Sequence, residues 1–251
     1  APSILDVGAE KIIFAGNNDY FLYAINSDGS LRFTVPTGYL VQSSPSFLEY
    51  NEEIYIFFGS SDNMIYAVNS DGDALSDWPI AVNGTIGGSV VFSDLDGDSD
   101  PEVIAATDMG DVLAFHLDGS YVNYFPIMNE FPSSGSPMVT QLDNDGDLEI
   151  IAGSGSNIFV VDIKELGSAE NYWNMYRGNT QRSGYYIPGE DTECGVDLGD
   201  ISGDGNINIL DIVQLANCIL AGNCDILPNG CAADINDDGN WNILDIVQLA
   251  N

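Results

Sequence analysis

The feature that most constrains this chain is an internal repeat that covers its first 187 residues. Residues 88–106 and residues 135–153 match position by position at an offset of 47, from a Gly-Ser start through an acidic loop to an apolar run. Residues 44–59 and residues 1–16 follow the same plan with degenerate loops. Short β-branched and aromatic runs separated by turns fill each unit, which predicts about four strands per unit.

A period of roughly 40–50 residues with four strands per unit is typical of β-propeller blades. Asp-Gly turns at Asp28, Asp71 and Asp118 are hairpin signals. We expect the last strands of the units at residues 31–35, 78–82, 125–128 and 173–176. Four blades is the lower end for a closed ring. The array is therefore either a complete four-bladed ring or part of a larger one, whose open edges another copy or domain would cover.

Composition changes at a polar segment that contains both Pro and Gly. All 5 Lys and Arg residues precede this segment, and the residues after it are rich in acids. The predicted organisation is a propeller of four repeats at residues 1–187, a linker at 188–196 and a small domain at 197–251. The expected fold class is mainly β, with a small α-helical domain that binds calcium.

The small domain contains two copies of one element, 34 residues apart. Both fit the twelve-residue calcium loop, in which oxygens surround the ion and a central glycine permits a sharp turn. Each loop continues into an apolar periodic segment, which predicts an amphipathic helix. The ligands predicted in the first copy are Asp200, Ser202, Asp204, the Asn206 carbonyl, Asn208 directly or through water, and Asp211. Those predicted in the second copy are Asp234, Asn236, Asp238, the Asn240 carbonyl, Asn242 and Asp245.

This duplicated loop and exiting helix resembles the type I dockerin family over about residues 197 to 251. The resemblance implies calcium binding and docking onto a cohesin-like protein domain. Two features depart from the family. Loop positions 10 and 11 are Ile209-Leu210 and Ile243-Leu244, where cellulosomal dockerins often carry polar recognition residues, and four cysteines are unusual there.

Acidic residues also alternate along loops of the third and fourth repeats. A tight loop of alternate carboxylates suits calcium, and such density is unfavourable without a cation. These units resemble FG-GAP or VCBS repeats, which are propeller blades that carry calcium, whereas the first two units resemble quinoprotein-type repeats without a ligand set for a quinone. The predicted ligands are Asp94, Asp96, Asp98, Asp100 and Glu102 in one loop, and Asp143, Asp145, Asp147 and Glu149 in the other.

The charge balance limits the partners. The 39 acidic and 5 basic residues give a formal net charge of −34, which disfavours nucleic acid and anionic membranes. Divalent cations would relieve the repulsion, and adaptation to salt is the alternative explanation. No apolar stretch is long enough to predict a membrane span.

All four cysteines lie in the last quarter of the chain, at Cys194, Cys218, Cys224 and Cys231. An even number in a small region predicts disulfides and an extracellular or cell-surface location. Three pairings remain open. A zinc site is the competing interpretation, but no C-x-x-C pair is present and His116 is distant in sequence.

We do not predict an enzyme, because the conspicuous carboxylates are accounted for as metal ligands and His116 has no nucleophile motif beside it. The expected function is that of an extracellular calcium-binding interaction or structural protein, docked to a cohesin-like domain or self-assembled with other copies into a surface structure or filament. A cell-surface glycan is a further candidate partner. The alternative is an accessory or targeting region of a secreted polysaccharide-degrading or other hydrolase.

Overall fold

A computed structural model describes the chain except for residues 9, 52, 130, 134, 144, 154–156, 189–197, 223, 225, 226, 228, 236–240 and 251. The chain divides into two compact units, residues 1–190 and residues 191–251. The predicted linker lies almost wholly outside the described residues. No helix among the described residues has the length and apolar character needed to cross a membrane.

Among the described residues, the first unit contains four sheets, one for each sequence repeat, and consecutive strands within each repeat are antiparallel. Adjacent strands in sequence are adjacent in each sheet, because short turns join them. The first sheet contains β1 (Ser3–Asp6), β2 (Lys11–Gly16), β3 (Phe21–Asn26) and β4 (Leu31–Pro36). The second contains β5 (Ser46–Tyr50), β6 (Glu53–Gly59), β7 (Met64–Asn69) and β8 (Ile80–Ala81). The third contains β9 (Val91–Ser93), β10 (Glu102–Ala106), β11 (Asp111–Phe115) and β12 (Ile127–Met128), and the fourth contains β13 (Met138–Thr140), β14 (Asp147–Gly153) and β15 (Ile158–Leu166).

Neighbouring sheets pack face to face in chain order. The ring centroids of Phe14 in β2 and Phe47 in β5 lie 5.6 Å apart, and those of Phe57 in β6 and Phe92 in β9 lie 5.0 Å apart. Phe14 and Phe57 hold equivalent repeat positions, as do Phe47 and Phe92. We call the face of a sheet that carries Phe14 or Phe57 its forward face, and the face that carries Phe47 or Phe92 its rear face. Each forward face therefore packs on the rear face of the next sheet.

The third junction follows the same rule. Ile104 of β10 holds the forward position and Val139 of β13 the rear position, and both belong to one buried cluster. Both faces of the second and third sheets are consequently buried, which explains why β10 and β11 are continuous runs of buried residues rather than alternating ones.

The fourth sheet corrects the prediction of a last strand at residues 173–176. Among the described residues this sheet has three strands, and residues 173–176 contain no strand. The segment that follows β15 instead pairs with the first strands of the sheets. Ser168 O accepts a hydrogen bond from Asp94 N at 2.9 Å, and Trp173 O accepts one from Phe92 N at 3.0 Å. These bonds satisfy backbone groups at a sheet edge that a fourth strand in the fourth sheet would have left free.

The same segment then reaches the other three sheets. Asn174 O accepts a hydrogen bond from Val139 N of β13 at 2.9 Å. Trp173 is buried and its ring lies 5.3 Å from that of Phe47 in β5. A short strand, β16 (Tyr185–Tyr186), pairs in parallel with β1 and extends the first sheet. Residues 168–186 thus contact the first strand of every sheet.

The second unit is helical. Helix α1 (Ile209–Ala221) begins at Asn208, whose side chain accepts a hydrogen bond from Leu210 N, and ends at Gly222 in the left-handed conformation. A 3-10 helix covers Gly230–Ala233, and α2 (Ile243–Leu249) begins in the same way as α1. The small core contains Ile201, Leu215, Cys218, Cys224, Ala232 and Ala233.

The disulfide prediction is confirmed for one pair. Cys218 and Cys224 are bonded, with Cα atoms 4.8 Å apart. Cys194 lies outside the described residues, as does the side chain of Cys231. The bond ties the end of α1 to the following turn in a unit whose apolar core is small.

Replacement of Phe57 by alanine tests the packing between sheets. Phe57 is fully buried and contacts the rings of both Trp78 and Phe92. Phe57→Ala should lower the free energy of unfolding by about 3–5 kcal/mol, because a cavity opens between two sheets. Urea denaturation measures this change. Met128→Ala, at a side chain 81% exposed, is the control and should change stability by less than about 0.5 kcal/mol.

Candidate metal centres

The loop between β9 and β10 gathers three of its predicted ligands. Carboxylate oxygens of Asp94, Asp96 and Asp98 lie within 4.8 Å of one another. The loop turns around Asp94, whose two oxygens accept hydrogen bonds from Gly97 N at 2.7 Å and Ser99 N at 3.1 Å. Gly97 and Ser99 both have positive φ, which lets this short loop curl around the carboxylates.

Glu102 closes the same loop from the start of β10. Its side chain is fully buried, and its Oε2 accepts a hydrogen bond from Leu95 N at 2.6 Å. Burial, and then repulsion from Asp96, raise the pKa of Glu102 to about 7 in the absence of a cation. Asp96, Glu102 and His116 also bring ligand atoms within 4.8 Å of one another.

His116 is the site residue that the sequence analysis missed. Its Nδ1 lies 3.1 Å from Glu102 Oε1. The signal was available in the strand register, because Val103 pairs with Phe115 and the residues next to this pair, Glu102 and His116, must be close. The position of His116 after an apolar strand made it look structural instead.

Asp100 is the predicted ligand that falls outside these groups. Its Oδ1 accepts a hydrogen bond from the Tyr50 hydroxyl at 2.9 Å, in the second sheet. Its backbone N–H donates to Asp98 Oδ1 at 2.8 Å. The arrangement places Asp100 as a link between sheets rather than beside Asp94 and Asp96.

The loop of the fourth repeat repeats this construction 47 residues later. Asp143, Asp145, Asp147 and Glu149 bring carboxylate oxygens within 4.8 Å of one another. Glu149 is buried and its Oε2 accepts a hydrogen bond from Leu142 N at 2.6 Å, as Glu102 does from Leu95.

Two details indicate that this second group is set up for a cation. Asp147 Oδ1 is buried and has no hydrogen-bond partner among the described residues. Desolvation and the neighbouring Asp145 raise the pKa of Asp147, so the cluster resists full ionisation by itself. Lys164 Nζ, 3.5 Å from Asp147 Oδ2, supplies only part of the missing positive charge.

The first loop of the second unit wraps backbone donors around Asp200. This buried carboxylate accepts hydrogen bonds from Gly203 N at 2.9 Å, Asp204 N at 3.1 Å and Gly205 N at 2.8 Å. Ser202 Oγ also donates to Asp200 at 3.2 Å. The backbone is therefore already curled into the tight shape that a calcium loop needs.

Asp211 joins this loop to α1. It is fully buried, and its two oxygens accept hydrogen bonds from Ser202 N at 2.9 Å and Asn208 N at 2.8 Å. Burial would raise the pKa of Asp211, but these hydrogen bonds outweigh it and the pKa is lowered. Asn208 meanwhile caps the helix through Oδ1 and donates to the Asn206 carbonyl through Nδ2.

The second loop has the same closing contacts. Asp245 is fully buried and accepts hydrogen bonds from Ile235 N at 3.0 Å and Asn242 N at 2.8 Å. Asn242 caps α2 through a hydrogen bond from Leu244 N. Three other predicted ligands of this loop, Asn236, Asp238 and Asn240, lie outside the described residues. Asp234, the first predicted ligand, is within the described residues.

The donor types fit calcium. The group in the fourth repeat consists of carboxylates, and the predicted ligands of the first loop of the second unit are also oxygen atoms, which a hard cation such as calcium prefers. A cation would supply the partner that Asp147 Oδ1 does not have among the described residues, and the lowered pKa of Asp211 keeps that carboxylate ionised for a cation.

Comparison with known proteins identifies the second unit. Residues 198–251 match the family model of the dockerin type I domain. This class of domain binds calcium and docks onto protein partners. No curated protein matches the chain.

Solved structures give a more distant likeness. The chain is similar to Sqt1 from Saccharomyces cerevisiae at 13% identity and a TM-score of 0.47, over 61% of this chain and 42% of that one. It is similar to BamB from Moraxella catarrhalis at 14% identity and a TM-score of 0.44, over 65% of this chain and 45% of that one. The matches thus span less than half the length of either structure.

Replacement of one carboxylate tests the cation site of the fourth repeat. Asp147→Asn should weaken calcium binding there by at least about tenfold, because it removes the charge of a carboxylate whose Oδ1 has no hydrogen-bond partner among the described residues. Isothermal titration calorimetry in the full chain measures the loss of one binding event. Asp28→Asn, in an exposed turn of the first repeat, should leave the calorimetric trace unchanged.

The pH dependence of stability tests the burial of Glu102. Its pKa is raised from 4.5 to about 7 in the folded, calcium-free protein, so the folded state binds more protons than the unfolded state between these values. Stability in chelator should therefore fall as pH rises through this window, and Glu102→Gln should flatten the dependence. Urea midpoints between pH 4.5 and 7 measure this. A slope that persists in the Gln variant would contradict the assignment.

Proposed function

We propose that this chain is a non-catalytic, extracellular calcium-binding protein that presents a partial β-propeller and docks it onto a protein partner through its dockerin domain. The observation that carries the proposal is the match of residues 198–251 to the dockerin type I family, together with two exposed apolar surfaces on that domain.

The docking surfaces are the first turns of the two helices. Ile209, Leu210 and Val213 of α1 are 67%, 56% and 50% exposed. The equivalent residues of α2, which are Ile243, Leu244 and Val247, are 64%, 57% and 52% exposed. Large apolar side chains that gather on a surface generally mark a protein interface. We call these two groups the tail surfaces.

Calcium would control the tail surfaces through residues shared by the loops and the helices. Asp211 is the last predicted ligand of the first loop and also the third residue of α1, where it completes the capping box with Asn208. Asp245 and Asn242 have the same two roles at α2. Loss of the ion would leave buried carboxylates repelling one another at the start of each helix. The helical turns that carry the exposed Ile and Leu residues would then loosen.

The interpretation of the first unit as propeller blades is supported by the convergence of its first strands. Residues 168–186 contact β1, β5, β9 and β13, so these four strands surround one common segment. Sheets that radiate from a shared centre and stack forward face on rear face are the arrangement of a propeller. The paired acidic loops support the further resemblance to FG-GAP or VCBS repeats, which we retain as part of the proposal.

The partner proposed for the tail surfaces is a cohesin-like domain. Its contact area would be apolar at the centre, to match Leu210 and Leu244, with basic residues at the rim to face the acidic loops. The non-catalytic role is part of the proposal, and it is supported by the loop carboxylates, which lie close to one another and accept hydrogen bonds from backbone N–H groups.

Substitution of the tail surfaces tests this function. The double variant Leu210→Asp, Leu244→Asp should weaken binding to cohesin domains at least 100-fold in calcium, because it places charge at the centre of both surfaces. Surface plasmon resonance against a panel of immobilised cohesin domains measures it, and chelator should abolish binding of the unchanged chain.

The matched control is Leu220→Asp, at a residue of α1 that is 87% exposed but outside the tail surfaces. It should bind as the unchanged chain does. If the unchanged chain binds no member of the panel, or if both variants bind equally, the docking role fails.

A further inference from the structure

The forward face of the fourth sheet is open. Ile158 and Val160 of β15 hold forward positions and are 77% and 51% exposed. The residues equivalent to Ile158 in the first three sheets are Leu22, Ile65 and Val112, and each of these is 0% exposed. The difference arises because a following sheet covers the first three forward faces, whereas none of the described residues covers the fourth.

The rear face of the first sheet is the complementary surface. Ile4, Ile13 and Ile25 hold rear positions and are partly exposed. Their equivalents in the second sheet, Phe47, Ile56 and Val68, are at most 2% exposed. At the third junction Val139 and Ile150 are 0% exposed, and Val161 is partly buried. Within the first unit a forward face packs on a rear face three times. The forward face of the fourth sheet and the rear face of the first sheet are the two that have no such neighbour among the described residues.

The charged ends of the two faces also correspond. Asp162 and Lys164 lie on the forward face of the fourth sheet, 2.5 Å apart, at the end nearest the loop between β13 and β14. Asp6 and Lys11 lie on the rear face of the first sheet, 2.6 Å apart, at the end nearest the loop between β1 and β2. Both faces thus have an apolar centre and, at the same end, a lysine paired with carboxylates, so stacking would bring opposite charges within reach.

We propose that the open forward face of the fourth sheet binds the rear face of the first sheet of a second copy of this chain. The contact is head-to-tail, so a single contact leaves one face of each kind free on the far sides of the pair. When these two faces also bind each other, the two copies place eight sheets in one closed ring, which is within the range of known propellers. This assembly uses the first unit alone and adds to the proposed docking by the tail.

The direct test is the mass of the full chain in solution by light scattering. We expect twice 26.9 kDa in calcium at micromolar concentration. Val160→Arg should reduce the mass to that of a single chain without loss of circular dichroism, because Val160 is already 51% exposed. Met128→Arg, at a side chain 81% exposed on the edge of the third sheet, is the control and should remain paired.

A mixing experiment tests the head-to-tail geometry. Ile25→Arg damages the rear face of the first sheet, so this variant and Val160→Arg should each be single chains. Mixed together they should form a one-to-one pair, because each retains the face that the other lacks. A single chain for the unchanged protein at all concentrations overturns the proposal, including the case in which the two faces close within one chain. A mixture that stays unpaired also overturns it.

The two proposals fail separately. The Leu210→Asp, Leu244→Asp variant should keep twice the single-chain mass while it loses binding to cohesin domains. If instead this variant becomes a single chain and Val160→Arg stays paired, the copies associate through the tail surfaces and the sheet-to-sheet contact is wrong.

Discussion

A buried carboxylate that closes a loop by accepting a backbone N–H is the interaction on which this structure depends. Glu102 and Glu149 do so in β-sheet repeats, and Asp211 and Asp245 do so at the start of helices. Each carboxylate comes at the end of its loop and bonds to a residue near the loop's beginning. The bond fixes the span of the loop before any cation enters, so the remaining oxygens are held near the geometry that calcium requires.

The same device explains how so acidic a chain can remain folded. Its net charge of −34 opposes compaction, and its carboxylates are concentrated in loops rather than dispersed. Backbone dipoles relieve part of the repulsion, and a bound cation would relieve more of it. Calcium binding is a property of the dockerin class, and the acidic loops of the first unit are compatible with it.

Much of the architecture could be predicted from the sequence, because repeats constrain it several times over. The turn and strand pattern of Phe21–Asn26 recurs in Met64–Asn69. The two loops of the dockerin domain carry the same residue type at five of the six predicted ligand positions, and Ser202 corresponds to Asn236 at the other. The failures occur where repeats diverge. The sequence around Trp173 resembles that around Trp78, which predicts a last strand. The backbone of Trp173 instead bonds to Phe92 at the edge of a first strand, and its ring packs against Phe47. The local sequence does not show which of two distant strand edges a segment will pair with. His116 was missed because its contact with Glu102 depends on strand register. The exposure of β15 arises because no sheet among the described residues packs on its forward face.

The parallel pairing of β16 with β1 has a mechanical consequence. The chain leaves the first unit through residues 185–186, which lie beside Ile4 and Leu5 and are secured there by the hydrogen bond from Ile4 N to Gly184 O. Arg177 adds a second fastening, since its guanidinium donates to the carbonyls of Pro2, Arg182 and Ser183. Tension that enters the first unit along residues 187–188 would therefore load the pairing of β16 with β1 and the hydrogen bonds of Arg177 before it reaches the other sheets.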